Sequence, residues 1–361
     1  MNDCIGIINL DEKDVNIKKL IKSKTISSMP IAGRYKVIDF ALSNLTNSGI
    51  ECIGIFTKRK SYSLIKHLSN GRPWDLHRKK DGLRVFNYSE DDPCYDDIHN
   101  FMNNMEFIQR SRKDYIIIIP SYMICNIDYK KVLNKHKSSN CDITIIYKKY
   151  SECRDFFGCE ELSIGKDNKV ERIKEIKSIL FGANINMEMY IMKTSIFINI
   201  VKENITNGLF KKVKDYIRYN INELNIKGYE FSGYLSCINS TNSYFNTNMD
   251  ILNMNICNEL FHDNRFIFTK EKDEAPVYYA KGSKVSNSII ANGSYIEGLI
   301  ENCIVGRKVL INHGTIIKNS IIMSNVIIKK DSIINNAIIS SNFIIEENKK
   351  IEGLIGSPQI I

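Results

Sequence analysis

The sequence predicts an α/β domain with a mostly parallel sheet, followed by a parallel β-helix. Three observations support this fold class. Up to about residue 262, short apolar runs alternate with segments of helical spacing, which is typical of βαβ units. From residue 280 onwards, Ile or Val recurs at about every sixth position, and three hexads per coil are the pattern of a β-helix. The composition, with 43% hydrophobic and 25% charged residues, is that of a folded globular protein.

The first predicted domain covers residues 1–262. Its strands are continuous apolar runs, as expected of a parallel sheet that is covered on both faces. Its clearest helix ends at Ser48-Gly49, which is a C-cap signal. The predicted strands are residues 4–10, 52–56, 115–119 and 143–147, and the predicted helices are residues 36–47, 61–68, 129–137, 209–220 and 242–253.

The second predicted domain covers residues 280–361 and follows a charged connector, residues 263–279. Related tetrapeptides recur in it at intervals of 15, 17 and 17 residues, and glycines lie between them. Stacked coils of this kind bury small aliphatic side chains in one continuous core. Ordinary hairpins are the alternative, which the even spacing disfavours. The tetrapeptides begin at Asn287, Asn302, Asn319 and Asn336, and the glycines expected at turns are Gly293, Gly298, Gly306 and Gly314.

Charge and cysteine usage argue against several functional classes. The net charge is +9, from 50 basic and 41 acidic residues, but no basic run is interleaved with stacking aromatics, so we expect no nucleic-acid binding. The ten cysteines form no CxxC pair and no secretory leader is recognisable, which predicts reduced thiols in the cytoplasm. No apolar stretch approaches the ~20 residues of a membrane span, so we expect no membrane association.

Five segments carry the motifs of one known family. Residues 30–50 are similar to P-F-G-G-K-Y-R-I-I-D-F-x-L-S-N-x-x-N-S-G-I, and residues 244–252 to Y-W-x-A-N-M-D-L-L. Residues 74–76 match W-D-L, residues 126–129 are similar to K-M-D-Y, and residues 276–279 to the start of a β-helix domain. This set resembles the glucose-1-phosphate adenylyltransferase family over nearly the whole chain. The resemblance implies a Rossmann-like, GT-A-like nucleotidyltransferase domain and a left-handed β-helix.

The loop that would hold ATP departs from the family pattern. Adenylyl transfer to glucose 1-phosphate needs backbone N–H groups that cradle the triphosphate, and the family supplies them with G-G-x-G-x-R-L after the first strand. Here residues 9–15 follow that strand, and residues 7–32 contain no glycine. Asp11, Glu12 and Asp14 would also repel a triphosphate. We therefore expect this loop not to bind ATP.

Both metal-binding aspartates of the family are replaced. By counting from the retained motifs, Tyr122 and Cys237 occupy their positions. Neither side chain is a normal Mg²⁺ ligand, because hard cations prefer anionic oxygen. The resemblance therefore implies no catalytic residue, no metal site and no cofactor in this chain, with Mg²⁺ held by a catalytic partner. The G-T-A-x-A segment of the family is likewise replaced, by residues 96–100.

Three residues are candidate remnants of the substrate cleft. Trp74 and Asp75 belong to the retained W-D-L motif, and Lys177 ends the segment that replaces the family's sugar-phosphate motif E-E-K-P. A lone Trp is as typical of a packing anchor as of a cleft wall, so both interpretations of Trp74 stay open.

Three surviving aspartates are tempting as catalytic groups. Asp39 and Asp250 lie in segments of helical spacing, and Asp128 precedes a helix that it could cap. We therefore interpret Asp39, Asp128 and Asp250 as structural.

A basic segment is a candidate effector site. Lys24, Arg34 and Lys36 fall where the family places basic residues that meet phosphorylated effectors. A solvated basic segment is the alternative.

The loss of four catalytic elements beside an intact scaffold resembles the regulatory D-type subunit of this family. It implies a partner, the catalytic subunit of ADP-glucose pyrophosphorylase, in a heterotetramer. An independently active transferase with an altered site is the first alternative. A β-helix acyltransferase is the second, and it would need a catalytic histidine, for which His313 beside Gly314 is the candidate in the coils.

Overall fold

The computed structural model describes residues 1–10, 15–21, 24–57, 62–87, 96–152, 154–178, 181–262, 265–354 and 356–361. Contacts between them define two compact units. The first comprises the described parts of Met1–Glu12, Phe40–Leu235 and Arg265–Phe268, and the second those of Lys13–Asp39, Ser236–Asn264 and Thr269–Ile361. The domain division expected at residues 262 and 280 stays a prediction, because the second unit also includes segments from earlier in the chain. Within the described ranges, no helix has the length and apolar character that crossing a membrane requires.

The elements follow the predicted change from mixed α/β structure to short strands alone. The α-helices are α1 (Lys18–Ile21), α2 (Val37–Asn47), α3 (Tyr62–Leu68), α4 (Asp97–Asn103), α5 (Met105–Ser111), α6 (Tyr129–Ser139), α7 (Thr194–Asn207), α8 (Val213–Tyr219), α9 (Thr241–Asp250) and α10 (Met254–Phe261). The strands before residue 262 are β1 (Cys4–Leu10), β2 (Pro30–Ile31), β3 (Tyr35–Lys36), β4 (Cys52–Thr57), β5 (Gly82–Asn87), β6 (Tyr115–Pro120), β7 (Met123–Ile124), β8 (Ile143–Glu152), β9 (Glu160–Ile164), β10 (Val170–Glu175), β11 (Phe181–Lys193), β12 (Ile226–Glu230) and β13 (Ser236–Cys237). The later strands are β14 (Tyr278–Tyr279), β15 (Lys284–Ser286), β16 (Ile289–Ile290), β17 (Tyr295–Ile296), β18 (Leu299–Glu301), β19 (Ile304–Val305), β20 (Leu310–Ile311), β21 (Ile316–Lys318), β22 (Ile321–Ile322), β23 (Ile327–Ile328), β24 (Ile333–Asn335), β25 (Ala337–Ile339), β26 (Ile344–Ile345), β27 (Lys350–Glu352) and β28 (Gln359–Ile360).

A mixed sheet of nine strands forms the centre of the first unit, among the residues described. Its main path runs β10-β9-β11-β6-β1-β4-β5, and β8 pairs with β11 and β12. Strands β6, β1, β4 and β5 are parallel, as the sequence predicts. Strand β11 runs antiparallel to β6, β8 and β9, so the parallel half of the sheet is followed by a half of mixed strand direction. The parallel half places the ends of β1 and β6 side by side at one edge.

The core of the first unit lies between this sheet and its helices. Ile116 and Ile118 of β6 belong to one buried cluster with Phe101 of α4, Ile108 of α5 and Phe197 of α7. The Phe101 and Phe197 rings meet edge to face, with 5.2 Å between centroids. Full burial of such side chains contributes about 1.5–3 kcal/mol each, which makes this cluster the main stabilising element of the unit.

His136, on α6, is a buried titratable group of the same unit. Its Nδ1 lies 2.8 Å from the hydroxyl of Thr144, and the ring meets that of Tyr115 edge to face. Burial, together with the positive charges of Lys193 and Lys137, lowers the pKa of His136 to about 4, against the opposing effect of Asp142. The folded protein therefore holds this imidazole neutral below the pH at which a free one gains its proton.

We expect His136 to make the protein sensitive to acid. The folded pKa lies below the unfolded value of 6.5, so the unfolded state binds the extra proton and stability falls as pH drops from 6.5 towards 4. The loss between pH 7.5 and pH 5 is expected to be about 2 kcal/mol. Urea unfolding at both pH values measures it, and His136→Gln should lose less stability over that interval. Equal losses in both proteins would contradict this assignment.

Several segments that match family motifs are held together by buried side-chain hydrogen bonds. On α2, Asn44 donates from Nδ2 to the Cys125 carbonyl at 2.9 Å and accepts from the Ile127 N–H at 3.3 Å. In the second unit, Asn248 of α9 accepts from the Ala32 N–H at 3.0 Å. Such bonds satisfy buried backbone groups that no strand or helix pairs, which explains why these polar residues suit a scaffold.

The second unit contains the repeat as three parallel sheets, each of five strands in the described residues. The four tetrapeptides lie in the sheet β16-β19-β22-β25-β28, with Ile289 opposite Ile304, Ile304 opposite Ile321, and Ile321 opposite Ile338. Three sheets with one strand from each in every coil are the arrangement of a left-handed parallel β-helix. The predicted fold class is therefore confirmed.

Asparagines form the corners before these strands. Asn287, Asn302, Asn319 and Asn336 all have positive φ, between 41° and 53°. Asparagine tolerates this left-handed conformation better than other side chains. The amide of Asn287 donates to Asn302 at 2.7 Å, and that of Asn302 to Asn319 at 3.2 Å. These amide hydrogen bonds thus link successive coils, a role that the spacing of the tetrapeptides does not predict.

The predicted turn glycines serve two different needs. Gly293 and Gly314 have φ of 78° and 72°, which glycine adopts without strain. Gly298 has no such φ, but a Cβ there would lie 2.5 Å from the Thr315 carbonyl oxygen of the next coil. Close stacking of coils therefore requires glycine at this position.

Candidate functional site

A narrow cleft opens at the edge of the first unit where β1 and β6 end. Asn9 and Pro120 contribute from these strand ends, and Asp97 from the start of α4. The opposite wall comes from β11 and from residues 212–214 at the start of α8. Such edges, outside the carboxyl ends of parallel strands, are where α/β sheets commonly bind ligands. This is the position that a substrate cleft would occupy.

Glu188 lies on the wall of the cleft that β11 and the start of α8 form. Its carboxylate pairs with the Lys214 ammonium at 2.8 Å, and both side chains are largely buried. Glu188 has φ of 53° in an irregular part of β11, where its N–H donates to the Asn186 side chain at 2.9 Å. A non-glycine residue with that φ is strained, so the surrounding contacts hold Glu188 in place. The ion pair ties β11 to the start of α8 in this wall.

A buried polar network supports that wall. Glu160 accepts from the Asn186 side chain at 2.9 Å and lies 3.4 Å from Arg218. Burial, and then the negative charge of Glu188, raise the pKa of Glu160. Asn186 also donates to the Tyr190 hydroxyl at 3.3 Å. The network fixes β11 next to the cleft, and no spacing in the sequence signals it because its members come from β9, β11 and α8.

The other wall of the cleft contains a second internal contact. The Asn9 amide donates to Asp97 at 2.5 Å, and the Val213 N–H lies 3.4 Å from the same carboxylate. The remaining cavity volume is about 40 Å³. A single water needs about 10–15 Å³ on this measure, so the part of the cleft that the described residues enclose has room for a few waters.

The two positions at which the family binds metal hold side chains that do not suit Mg²⁺. Tyr122 lines the cleft with a phenol, and Cys237 is a buried thiol of the second unit. The cleft carboxylates of Asp97 and Glu188 are already bonded to Asn9 and Lys214. Across the described ranges, no three His, Cys, Asp or Glu side chains come together as a metal site requires. Mg²⁺ prefers several anionic oxygens, and the two carboxylates among the described lining residues are both bonded to other side chains.

The other candidates from the sequence lie elsewhere. Asp11, Glu12 and Asp14 lie outside the described residues. Lys177 is exposed beyond the end of β10 and is not among the residues lining the cleft. Trp74 and Asp75 line a separate cavity of the first unit. Their role as cleft remnants stays a prediction.

The structural interpretation of the three aspartates agrees with their positions. Asp39 is buried in the first turn of α2 and accepts the Lys36 N–H at 2.9 Å. Asp128 is the N-cap of α6 and accepts the Lys130 N–H at 2.9 Å. Asp250 is the last residue of α9.

A basic cluster lies in the second unit. Burial lowers the pKa of Lys36 to about 8, and the positive charges of Lys24, Lys272 and Lys270 contribute in the same direction against Asp39. These charges therefore lie close enough to repel one another. Arg34 is exposed, lies over the Tyr35 ring at 4.9 Å and donates to the Tyr35 hydroxyl at 2.8 Å. His313, the acyltransferase candidate, lies in an exposed turn of the β-helix.

Family models match both parts of the chain. One described as "Nucleotidyl transferase" matches residues 21–254. Another, described as "GlmU-like, C-terminal hexapeptide", matches residues 273–354.

Curated relatives match over most of their length. The "Glycogen biosynthesis protein GlgD" of Bacillus subtilis is 31% identical over 317 residues, which cover 87% of this chain and 82% of that protein. The protein of the same name from Geobacillus stearothermophilus is 32% identical over 322 residues, which cover 88% of this chain and 83% of that protein. A "Glucose-1-phosphate adenylyltransferase" from Mycoplasma mobile is 30% identical over 325 residues, covering 87% and 84%.

Proposed function

The chain belongs to the glucose-1-phosphate adenylyltransferase family, and we propose that it serves glycogen biosynthesis as a non-catalytic regulatory subunit. It assembles in the cytoplasm with the catalytic subunit, in a heterotetramer, and raises the rate at which that subunit converts ATP and glucose 1-phosphate to ADP-glucose and diphosphate. Mg²⁺ belongs to the catalytic partner.

The observation that carries this proposal is the closed cleft. The Glu188–Lys214 pair and the Asn9–Asp97 bond leave about 40 Å³ where a sugar phosphate would have to bind. An intact family scaffold with a filled cleft supports a role in assembly and coupling between subunits. The relatives named for glycogen biosynthesis support the pathway.

Mixing the subunits tests the proposal. ADP-glucose synthesis with Mg²⁺ is measured for this chain alone, for the catalytic subunit alone and for both together. We expect no activity from this chain alone and a several-fold gain on mixing. Activity of this chain alone that survives Tyr122→Ala and Cys237→Ala would overturn the proposal in favour of an independent transferase. No gain on mixing would also overturn it.

The basic cluster around Lys36 is the proposed effector site of this subunit. Lys24, Lys36, Lys270 and Lys272 carry like charges whose repulsion a bound phosphate ester would relieve. Arg34, which stacks on Tyr35, is the third candidate of this segment. Lys24→Ala and Lys36→Ala should each weaken activation of the assembled complex, and unchanged activation would exclude these residues.

Binding at this cluster is expected to depend on pH through Lys36. Its pKa in the folded protein is about 8, below the ordinary 10.5, so the ammonium loses its proton as pH rises through 8. A phosphate ester is dianionic from pH 7 to 9, so its own charge does not change. Affinity for glucose 6-phosphate, measured by calorimetry, should fall over that range. Lys36→Arg should remove the dependence because guanidinium stays protonated. A wild-type affinity that does not change with pH would contradict the assignment.

A further inference from the structure

The first unit contains a much larger cavity than its closed cleft. Its volume is about 310 Å³, against about 40 Å³ for the cleft. The end of α2 and the following loop form one side, and the single-turn 3₁₀ helix Arg72–Trp74 forms the other. Small-molecule sites in proteins begin at about this size.

The charged side chains that line this cavity have no net formal charge. The Arg78 guanidinium lies between two carboxylates, 2.9 Å from Glu51 and 2.5 Å from Asp75. With Arg72, the lining carries two formal positive and two formal negative charges. A phosphate would meet both carboxylates here, whereas the lysine cluster of the second unit has an excess of positive charge. The cavity therefore suits a ligand with no net charge.

Trp74 is one of the residues that line the cavity. The side chain is 2% exposed, and its Nε1–H is buried with no hydrogen-bond partner in the described part of the chain. Because that atom is itself buried, Trp74 contributes a wall of the cavity, and the groups that can bond to a ligand are the polar side chains.

The rim adds an apolar surface. Phe268 lines the cavity, and its side chain is 38% exposed. The carboxylates of Glu51 and Asp75 can accept from hydroxyl groups on the ligand, and the Asn47 amide can donate or accept. A ligand that meets all these groups has a C–H face, several hydroxyls and no charge, which is the chemistry of a saccharide.

We propose that this cavity binds a short neutral saccharide through Asp75 and Glu51, against the wall that contains Trp74. The choice of an α-1,4-linked glucosaccharide as its occupant rests on the proposed role in glycogen biosynthesis. The polyhydroxyl character rests on the cavity alone.

The tryptophan itself reports binding, since Trp74 is the single Trp of the 361 residues. Titrating the full chain with maltotriose should change its fluorescence in a saturable way. Asp75→Asn is the test variant: Asn tolerates the φ of 55° found at Asp75 but removes an anionic acceptor. It should weaken maltotriose binding about ten-fold or more, with an unchanged melting temperature.

Asp167→Asn is the matched control. Asp167 also has φ of 55°, and it lies in a turn of the same unit that does not line the cavity. This variant should bind maltotriose as the wild type does. A flat wild-type titration, or equal binding by Asp75→Asn, would overturn the proposal. Tighter binding of glucose 6-phosphate that Asp75→Asn weakens in the same way would overturn the assignment to a neutral ligand.

The outcome of the maltotriose titration does not depend on whether this chain is catalytically active. The titration uses the chain alone, without ATP, Mg²⁺ or the catalytic partner. An active chain would overturn the regulatory function and leave the fluorescence result unaffected. A flat titration would remove the saccharide site and leave the mixing experiment unaffected.

Discussion

Glu188→Gly is expected to give the closed cleft a measurable affinity for glucose 1-phosphate. The substitution removes the carboxylate that pairs with Lys214 and the side-chain volume that Glu188 adds to the cleft wall. Glycine adopts the φ of 53° found at this position freely, which relieves about 1 kcal/mol of backbone strain. Lys212 and Lys214 both line the cleft, so removing the Glu188 carboxylate makes its lining more favourable to a phosphate.

Calorimetry with glucose 1-phosphate measures this gain. Binding at least about ten-fold tighter than in the wild type is the expected result, and adding Lys214→Ala to Glu188→Gly should remove it. Glu188→Gln is the matched control, because it removes the charge but keeps the size of the side chain. Equal gains in Glu188→Gln and Glu188→Gly would contradict the view that occupied volume closes the cleft.

The variant is not expected to make ADP-glucose. Tyr122 still lines the cleft where the resemblance places a metal-binding aspartate, and a phenol does not hold Mg²⁺ as a carboxylate does. Activity in Glu188→Gly alone would show that this chain's chemistry is blocked by a single ion pair.

The β-helix could be predicted from sequence because its signal is local and repeated. Each hexad contributes one strand, so the spacing of Ile289, Ile304, Ile321 and Ile338 alone determines which residues lie side by side. The parallel strands of the first unit were predicted for a similar reason, since buried parallel strands are continuous apolar runs.

The sequence does not predict helix α7, because the residue composition of this segment favours a strand. Thr194–Asn207 is rich in Ile, Thr and Val, which lose rotamer freedom in a helix and are typical of strands. Burial of Phe197, Ile200 and Val201 against the sheet outweighs that preference. The predicted helix over residues 209–220 is shorter in the structure, because α8 begins only at Val213.

The candidate site shows a second limit of sequence reasoning. The substitutions at Tyr122 and Cys237 are visible beside retained motifs, so the missing carboxylates could be predicted. The Glu188–Lys214 pair could not, because 26 positions separate its members and the irregularity in β11 has no sequence signature. The cavity beside Trp74 depends likewise on residues from three separate segments.

Ile317→Ala is expected to cause the largest loss of stability in the β-helix. Ile317 is 0% exposed and lies in register between Ile300 and Ile334 of the neighbouring coils. Truncation leaves a cavity that the rigid coils cannot collapse to fill, and buried Ile→Ala changes cost about 2–5 kcal/mol. Because coils touch only their neighbours, one cavity weakens two coil interfaces at once.

The adjacent Ile316 lies on the outer face of the same strand, 36% exposed, and serves as the matched control. Urea unfolding should show a loss of about 4 kcal/mol for Ile317→Ala and under about 1 kcal/mol for Ile316→Ala. Similar losses for the two variants would mean that the coil interior does not carry the stability of this domain.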